Sequence, residues 1–224
     1  MMTGVYSGTG SGDIRGKAEL ANRFGLLLAA LLSCWCLSAT TLAAEEDAAT
    51  LSARGDVAYN RGDVMDAIQW YRQAADLGDA HAQVRLGYIY DKAEENEQAV
   101  AWYRKAAEQG DPAGQQGLAA MYAAGEGVTR DIDHALSLMA EAAEQDFLPS
   151  ILLLAATLER GADGVSIDRA LSLKYWRQAA ELGDQQAMLR ISKAYRNGEL
   201  GLAADETEAA RWQKKLDAAK SGVE

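Results

Sequence analysis

The 224 residues predict an all-α fold: an α-solenoid of about five antiparallel helix pairs, preceded by an N-terminal signal segment. Three observations predict it. Ala, Leu, Glu and Gln dominate, Pro occurs only as Pro112 and Pro149, and β-branched runs are missing. Such side chains lose little freedom on a helix, whereas strands draw on β-branched residues. A ten-residue pattern returns five times at near-constant spacing. One long apolar run near the N-terminus stands outside that repeat.

The signal segment comes first, within residues 1–44. Phe24 to Leu32 reads FGLLLAALL and continues more weakly to Leu42, with Arg15, Lys17 and Arg23 before it and Glu45, Glu46 and Asp47 after it. Positive before and negative after keeps the N-terminus inside and sends the rest across. Small residues at its end place cleavage after Ala43 or Ala44. Two other readings stay open. Phe24–Leu42 is nearly long enough to remain as a membrane anchor. Leu31-Leu32-Ser33-Cys34 resembles a lipoprotein box, with Cys34 acylated, although Trp35-Cys36-Leu37 after it is still apolar. In each case the remainder leaves the cytoplasm. Cys34 and Cys36 are the only cysteines, so residues 45–224 have neither disulfides nor thiol chemistry. The Gly/Ser-rich stretch up to Asn22 is assigned no structure.

The repeats follow in order, at about 50–79, 80–111, 112–147, 148–184 and 185–220. Trp70-Tyr71-Arg72-Gln73-Ala74-Ala75 leads to Gly78-Asp79, and Trp102-Tyr103-Arg104-Lys105-Ala106-Ala107 to Gly110-Asp111. Tyr175-Trp176-Arg177-Gln178-Ala179-Ala180, with the rings swapped, leads to Gly183-Asp184. Weaker copies begin at Leu138 and Trp212. A second block precedes each: Ala82, Leu86, Gly87 and Tyr90; Gly114, Leu118, Ala119 and Tyr122; Ser150, Leu154, Ala155 and Leu158; Ala187, Ile191, Ser192 and Tyr195. The first copy keeps only Gly55, Asp56 and Tyr59. Spacings of four, one and three put each block on one stripe of a helix. Helices are expected at about 46–60, 64–77, 80–91, 94–109, 113–124, 130–145, 149–160, 168–182, 185–197 and 205–219. Neither helix of a pair can bury its stripe alone, so stacked copies share one core. Small residues at 87, 119, 155 and 192 admit the paired helix. Gly78, Gly110 and Gly183 suit left-handed helix ends, and the Asp after each can cap the next helix.

Charge and chemistry narrow the function. The chain carries 22 basic and 33 acidic residues, net −11, which disfavours nucleic acid and anionic membrane surfaces as partners. His81 and His134 fall in different copies without metal-ligand spacing, so no metal or cofactor is expected. Ser137, Ser150 and Ser172 lack any nucleophile motif. Gly125-x-Gly127 and Gly161–Gly164 follow no strand and cradle no phosphate. Glu94 to Glu97 reads as a solvated helix start. The repeat Trp and Tyr residues read as core; sugar stacking would require exposed rings. No catalytic residue is assigned.

These strings, with Gly125-Glu126-Gly127-Val128-Thr129-Arg130-Asp131 between two of them, resemble the Sel1-like repeat of the tetratricopeptide superfamily over about residues 50 to 220. Copy one, with Asn60-Arg61-Gly62-Asp63 as a tight turn, is closer to a plain tetratricopeptide unit. Copy three has Leu138 and Met139 for the aromatic pair and Asp146 where Gly is expected; copy four has Ser172 for Ala; copy five has Leu216-Asp217 for Ala-Ala. The resemblance implies a right-handed solenoid whose first helices line a concave groove. On those helices Asn60, His81, Tyr88, Asp91, Gln116, Glu159, Lys193 and Arg196 lie outside the packing motif and are the expected partner-binding positions. An extended peptide or a partner helix suits them. The reading is an exported protein-interaction scaffold, periplasmic or secreted, meeting a membrane only through an uncleaved or lipidated N-terminus. A cell-wall-active or antibiotic-hydrolysing enzyme and a self-assembling structural protein are the alternatives.

Overall fold

A computed structural model describes residues 46–161 and 164–221. The apolar run, both cleavage positions and Cys34 lie outside the described residues. From Asp47 onward the chain forms one compact unit.

Among the described residues ten helices follow one another: α1 (Ala48–Arg61), α2 (Val64–Asp76), α3 (Ala80–Lys92), α4 (Asn96–Glu108), α5 (Pro112–Ala124), α6 (Ile132–Glu144), α7 (Leu148–Arg160), α8 (Arg169–Glu181), α9 (Gln185–Asn197) and α10 (Glu206–Ser221). Each end falls within two residues of the position expected from the repeat. Helices pack mainly on their chain neighbours, α1 on α2, α2 on α3 and so on to α10, which is the contact pattern of a solenoid. First helices also meet one another, α1 with α3 and α3 with α5, whereas no two second helices come as close. The row of first helices is therefore the inner side of the stack.

Small residues make the close packing. Ala67, Ala82, Ala99, Ala119, Ala155 and Ala187 are fully buried, and Tyr71, Leu86, Met121, Ile151 and Ile191 fill the space between helices. A Cβ on Gly55 would stand 2.4 Å from the Tyr71 ring, and one on Gly87 2.6 Å from the Tyr103 ring. Two of the three serines that stand where other copies carry Ala use their hydroxyls. Ser172 donates to the Ala155 carbonyl at 2.7 Å and Ser192 to the Ala209 carbonyl at 2.8 Å, both buried. Ser150, at the position of Ala82 and Ala187, is buried with no partner for its Oγ.

One aspartate joins two helices at three of the boundaries. The Asp79 N–H donates to the Ala74 carbonyl at 3.0 Å and closes α2, while its carboxylate accepts from the Ala82 N–H at 2.6 Å and opens α3. Asp111 and Asp184 do the same at the starts of α5 and α9. Gly78 (φ 92°) supplies the left-handed residue that this closure needs. Asp146 adopts φ 58° in its place before α7, and Phe147 gives α7 no side-chain cap. Glu94, expected at a helix start, instead takes φ 60°; the Glu95 N–H closes α3 on the Tyr90 carbonyl at 2.9 Å, and α4 begins only at Asn96.

The segments within pairs lengthen along the chain. Residues 62–63 and 93–95 are tight turns, whereas 125–131 and 198–205 are loops, and eight residues separate α7 from α8. Each of these longer segments is tied back to its first helix by one equivalent bond, from the Asp131, Asp168 and Asp205 N–H groups to the carbonyls of Tyr122, Leu158 and Tyr195.

Candidate functional site

The inner face is built from one turn-by-turn register of the first helices. Arg85 of α3, Gly117 of α5, Leu153 of α7 and Arg190 of α9 hold equivalent places, each beside the ring or side chain that the preceding second helix sends inward. Those inward groups are Tyr71, Tyr103, Met139 and Trp176.

At the N-terminal end the register holds a polar cluster. Tyr71 donates to Asp56 Oδ1 at 2.7 Å, and Arg85 Nε donates to the Tyr71 hydroxyl at 3.0 Å. His81 Nε2 lies 3.2 Å from both Asp56 oxygens, and the Arg85 guanidinium stacks 4.3 Å from the Tyr59 ring. Partial burial pushes the Asp56 carboxyl up, but the hydrogen bonds of Tyr71 and His81 and the positive charges around it hold it below the usual range. Burial first, with the Asp56 bond adding to it, pushes the Tyr71 hydroxyl up to about 12.

At the C-terminal end the same register holds an ion-pair network. Arg190 Nη2 donates to Glu159 Oε1 at 2.6 Å and its Nη1 lies 2.8 Å from Glu199. Trp176 Nε1 donates to Glu159 Oε2 at 2.9 Å. A hydrogen bond from Asn197, then the Arg190 charge, keeps Glu199 below the ordinary carboxylate range. Between the ends the face turns apolar. At Gly117, where α3 has Arg85, the Tyr103 ring takes the space, 2.4 Å from the place of the missing Cβ. Leu153 is 40% exposed.

Two hollows open here. One, of about 370 Å³, lies among Ala123, Arg130, Ile132, Met139, Leu153 and Val165. The other, of about 490 Å³, lies among Glu159, Arg169, Arg190, Gly198 and Glu199.

The eight expected positions all fall on first helices, but they do not form one site. Tyr88 and Asp91 meet around Lys92, whose ammonium lies 5.5 Å from the Tyr88 ring and 3.8 Å from the carboxylate. His81 belongs to the Asp56 cluster and Glu159 to the Arg190 network. Lys193 and Arg196 are exposed, Arg196 lying 3.5 Å from Glu206. Asn60 is exposed at the end of α1 and Gln116 half-buried on α5. Sequence reasoning passed over Arg85, Leu153 and Arg190, which organise the face; aligning the positions one before each Leu or Ile of the motif would have found them. The Tyr rings at 71, 103 and 175 are buried. The half-buried Trp70, Trp102 and Trp212 carry Arg54, Lys105 and Lys215 over them at 4.9, 3.9 and 4.1 Å, so these faces stack on the chain's own cations. Among the described residues no group of three or more His, Cys, Asp and Glu could hold a metal.

A continuous inner face on a stack of helix pairs defines a helical-repeat scaffold. The Sel1 repeat model matches residues 55–79, 80–111, 112–147, 149–184 and 185–215, and the chain belongs to the Sel1 repeat family. Sel1 repeat proteins are generally scaffolds for protein–protein interaction, and the fold is typically non-enzymatic.

Solved structures agree. A Sel1 repeat protein from Oxalobacter formigenes is 26% identical, with TM-score 0.62 over 75% of this chain and 70% of that one. The protein c5321, a protective antigen present in uropathogenic Escherichia coli strains and displaying an SLR fold, is 29% identical, with TM-score 0.60 over 79% of this chain and 40% of that one. A Sel1 repeat protein from Klebsiella pneumoniae subsp. pneumoniae shares the fold at 22% identity, with TM-score 0.52 over 79% and 91%. Among curated proteins, the chitin synthase regulator SKT5 of Saccharomyces cerevisiae is 40% identical over 97 residues, 43% of this chain. The chain spans 14% of that relative's length.

Proposed function

We propose that this chain is an exported scaffold of the bacterial cell envelope that binds a peptide or protein segment along its inner face. The open, apolar middle of that face carries the reading. The aromatic residues and most charges at its two ends satisfy one another, whereas Leu153 stands exposed on the face where a partner would lie. Export rests on the apolar run 24–42 with its basic approach and acidic exit. That c5321 is a protective antigen is in keeping with a place outside the cytoplasm.

Two experiments test it. Cell fractionation followed by N-terminal sequencing should find the chain outside the cytoplasm and beginning at Ala44 or Glu45; a cytoplasmic protein with an intact N-terminus removes the export reading. Cross-linking and pull-down from envelope fractions, with a tag at Glu224, should recover one stoichiometric protein. Tyr88→Ala combined with Arg196→Ala should lose it while keeping helicity, and undiminished recovery would move the contact away from this face.

A further inference from the structure

The two inner hollows are the same place in successive repeats. Ala123 corresponds to Glu159, Ile132 to Arg169 and Leu153 to Arg190. One copy is lined mainly by apolar groups, with Arg130 and Thr157 as its polar members, and the next mainly by charges, so a chain lying across both meets a change of chemistry after one repeat. We infer that together they form a bipartite site for a peptide segment that carries an apolar side chain and, about three residues further along, an acidic one. This rests on reading the inner face as the binding groove.

The apolar half is open rather than collapsed. Leu153, on its wall, keeps 40% exposure, and an apolar side chain seated there would remove it from water. Leu153 stands on the wall of this hollow where Arg85 and Arg190 stand in other copies, and the segment 125–131 is longer than the tight turns of the first two copies.

The charged half points to an acid. Glu159 and Glu199 are both taken up by Arg190. Arg169, on the same hollow, is exposed and forms no ion pair among the described residues, and the exposed Lys193 stands on the neighbouring turn of α9. Two acids and two bases line this hollow, and because Arg190 takes up both acids, the Arg169 guanidinium is the charge left to a ligand, whose complement is a carboxylate. The spacing follows from packing. Neighbouring helix layers lie roughly 10 Å apart, and an extended chain covers about 3.3 Å per residue, hence about three residues between the two side chains.

The test uses a phage-displayed library of random dodecapeptides, selected on residues 45–224 and counter-selected on bare support. Enriched sequences should pair Leu, Ile, Phe or Met with Asp or Glu two to four residues away. Fluorescence polarisation of a labelled enriched peptide should show roughly tenfold weaker binding to Leu153→Ser and to Arg169→Glu. Replacing the peptide's acid by Lys should weaken binding to the unaltered protein and restore it on Arg169→Glu, a reversal that a general loss of fold cannot produce. Circular dichroism checks that both variants stay helical. Enriched peptides without the apolar–acidic pair, or peptides indifferent to both substitutions but lost with Tyr88→Ala, would overturn the bipartite site and leave the groove standing. No enrichment above the support would overturn both.

Discussion

At the scale of single residues, the glycines and serines of the helix contacts are sharper tests of the structure than its large side chains. Gly→Ala inside a helix ordinarily gains about 0.5–1 kcal/mol, since alanine loses less freedom on folding. At Gly87 the added methyl would meet the Tyr103 ring at 2.6 Å, and at Gly117 the same ring at 2.4 Å. Overpacking of this kind costs about 1–3 kcal/mol, so both substitutions should lower the thermal midpoint. Two serines should part in sign. Ser172→Ala removes a buried bond to Ala155 and should cost about 1 kcal/mol, whereas Ser150→Ala removes a buried hydroxyl without a partner and should be neutral or stabilising in a urea titration. The Asp56–Tyr71–Arg85 cluster contributes to the response to pH at both limbs, alongside the buried Tyr103 and Tyr175 on the alkaline side. Asp56 titrates lower when folded, so its contribution is present above the unfolded value of 3.8 and is lost as pH falls through the lower folded one. Tyr71 titrates higher, so its contribution is complete below pH 10 and is lost on the way to about 12. Tyr71→Phe should flatten the alkaline limb of a stability–pH curve; an unchanged limb would place the titrating group elsewhere.

At the scale of the helix, capping separates the starts that carry a side-chain bond from those that do not. Asp79→Ala and Asp184→Ala each remove a carboxylate bonded to the first turn and should cost about 0.5–2 kcal/mol. Asp63 and Glu95 sit at equivalent starts without such a bond, and alanine there should stay within about 0.5 kcal/mol. This is also where the sequence was most legible. Asp79, Asp111 and Asp184 recur in register with the aromatic and alanine positions, so periodicity and capping named the same boundaries independently. The boundary at Glu94 was missed because a glutamate at a left-handed position leaves no composition signal; only the bond from Glu95 to Tyr90 shows it. The inner face was read incompletely for a related reason. Motif residues repeat because each meets the same neighbour, whereas Arg85, Gly117, Leu153 and Arg190 differ because their neighbours differ. A consensus suppresses that variation, and Glu159 looked like a free groove charge until Arg190 and Trp176 were placed around it.

At the scale of the whole array, stability should be a sum over neighbouring pairs rather than a property of one centre. Deleting residues 185–224 removes α9 and α10 and uncovers α8, but leaves the α1–α8 contacts intact. The shortened chain should stay folded, with a lower urea midpoint and a smaller denaturant slope in keeping with the surface lost. Complete loss of helicity by circular dichroism would show that the last copy is required for the rest. The inner surface is not uniform along this array. Its N-terminal part is a hydrogen-bonded cluster, its middle apolar and its C-terminal part an ion-pair network, so rearranging copies would redistribute chemistry without disturbing the packing that holds them.

The double-ended aspartates bear on how such an array grows. A segment cut just after Asp79, Asp111 or Asp184 carries away the stop of its own last helix together with the start of whatever follows. Copied in tandem, it would supply its new neighbour with an opening and need nothing from it, which makes lengthening by duplication mechanically simple. The junction at Asp146-Phe147 has lost half of that property: it still ends α6, but α7 must begin without a side-chain cap. Between those two copies, insertion of a further unit would meet a seam that closes well and opens poorly.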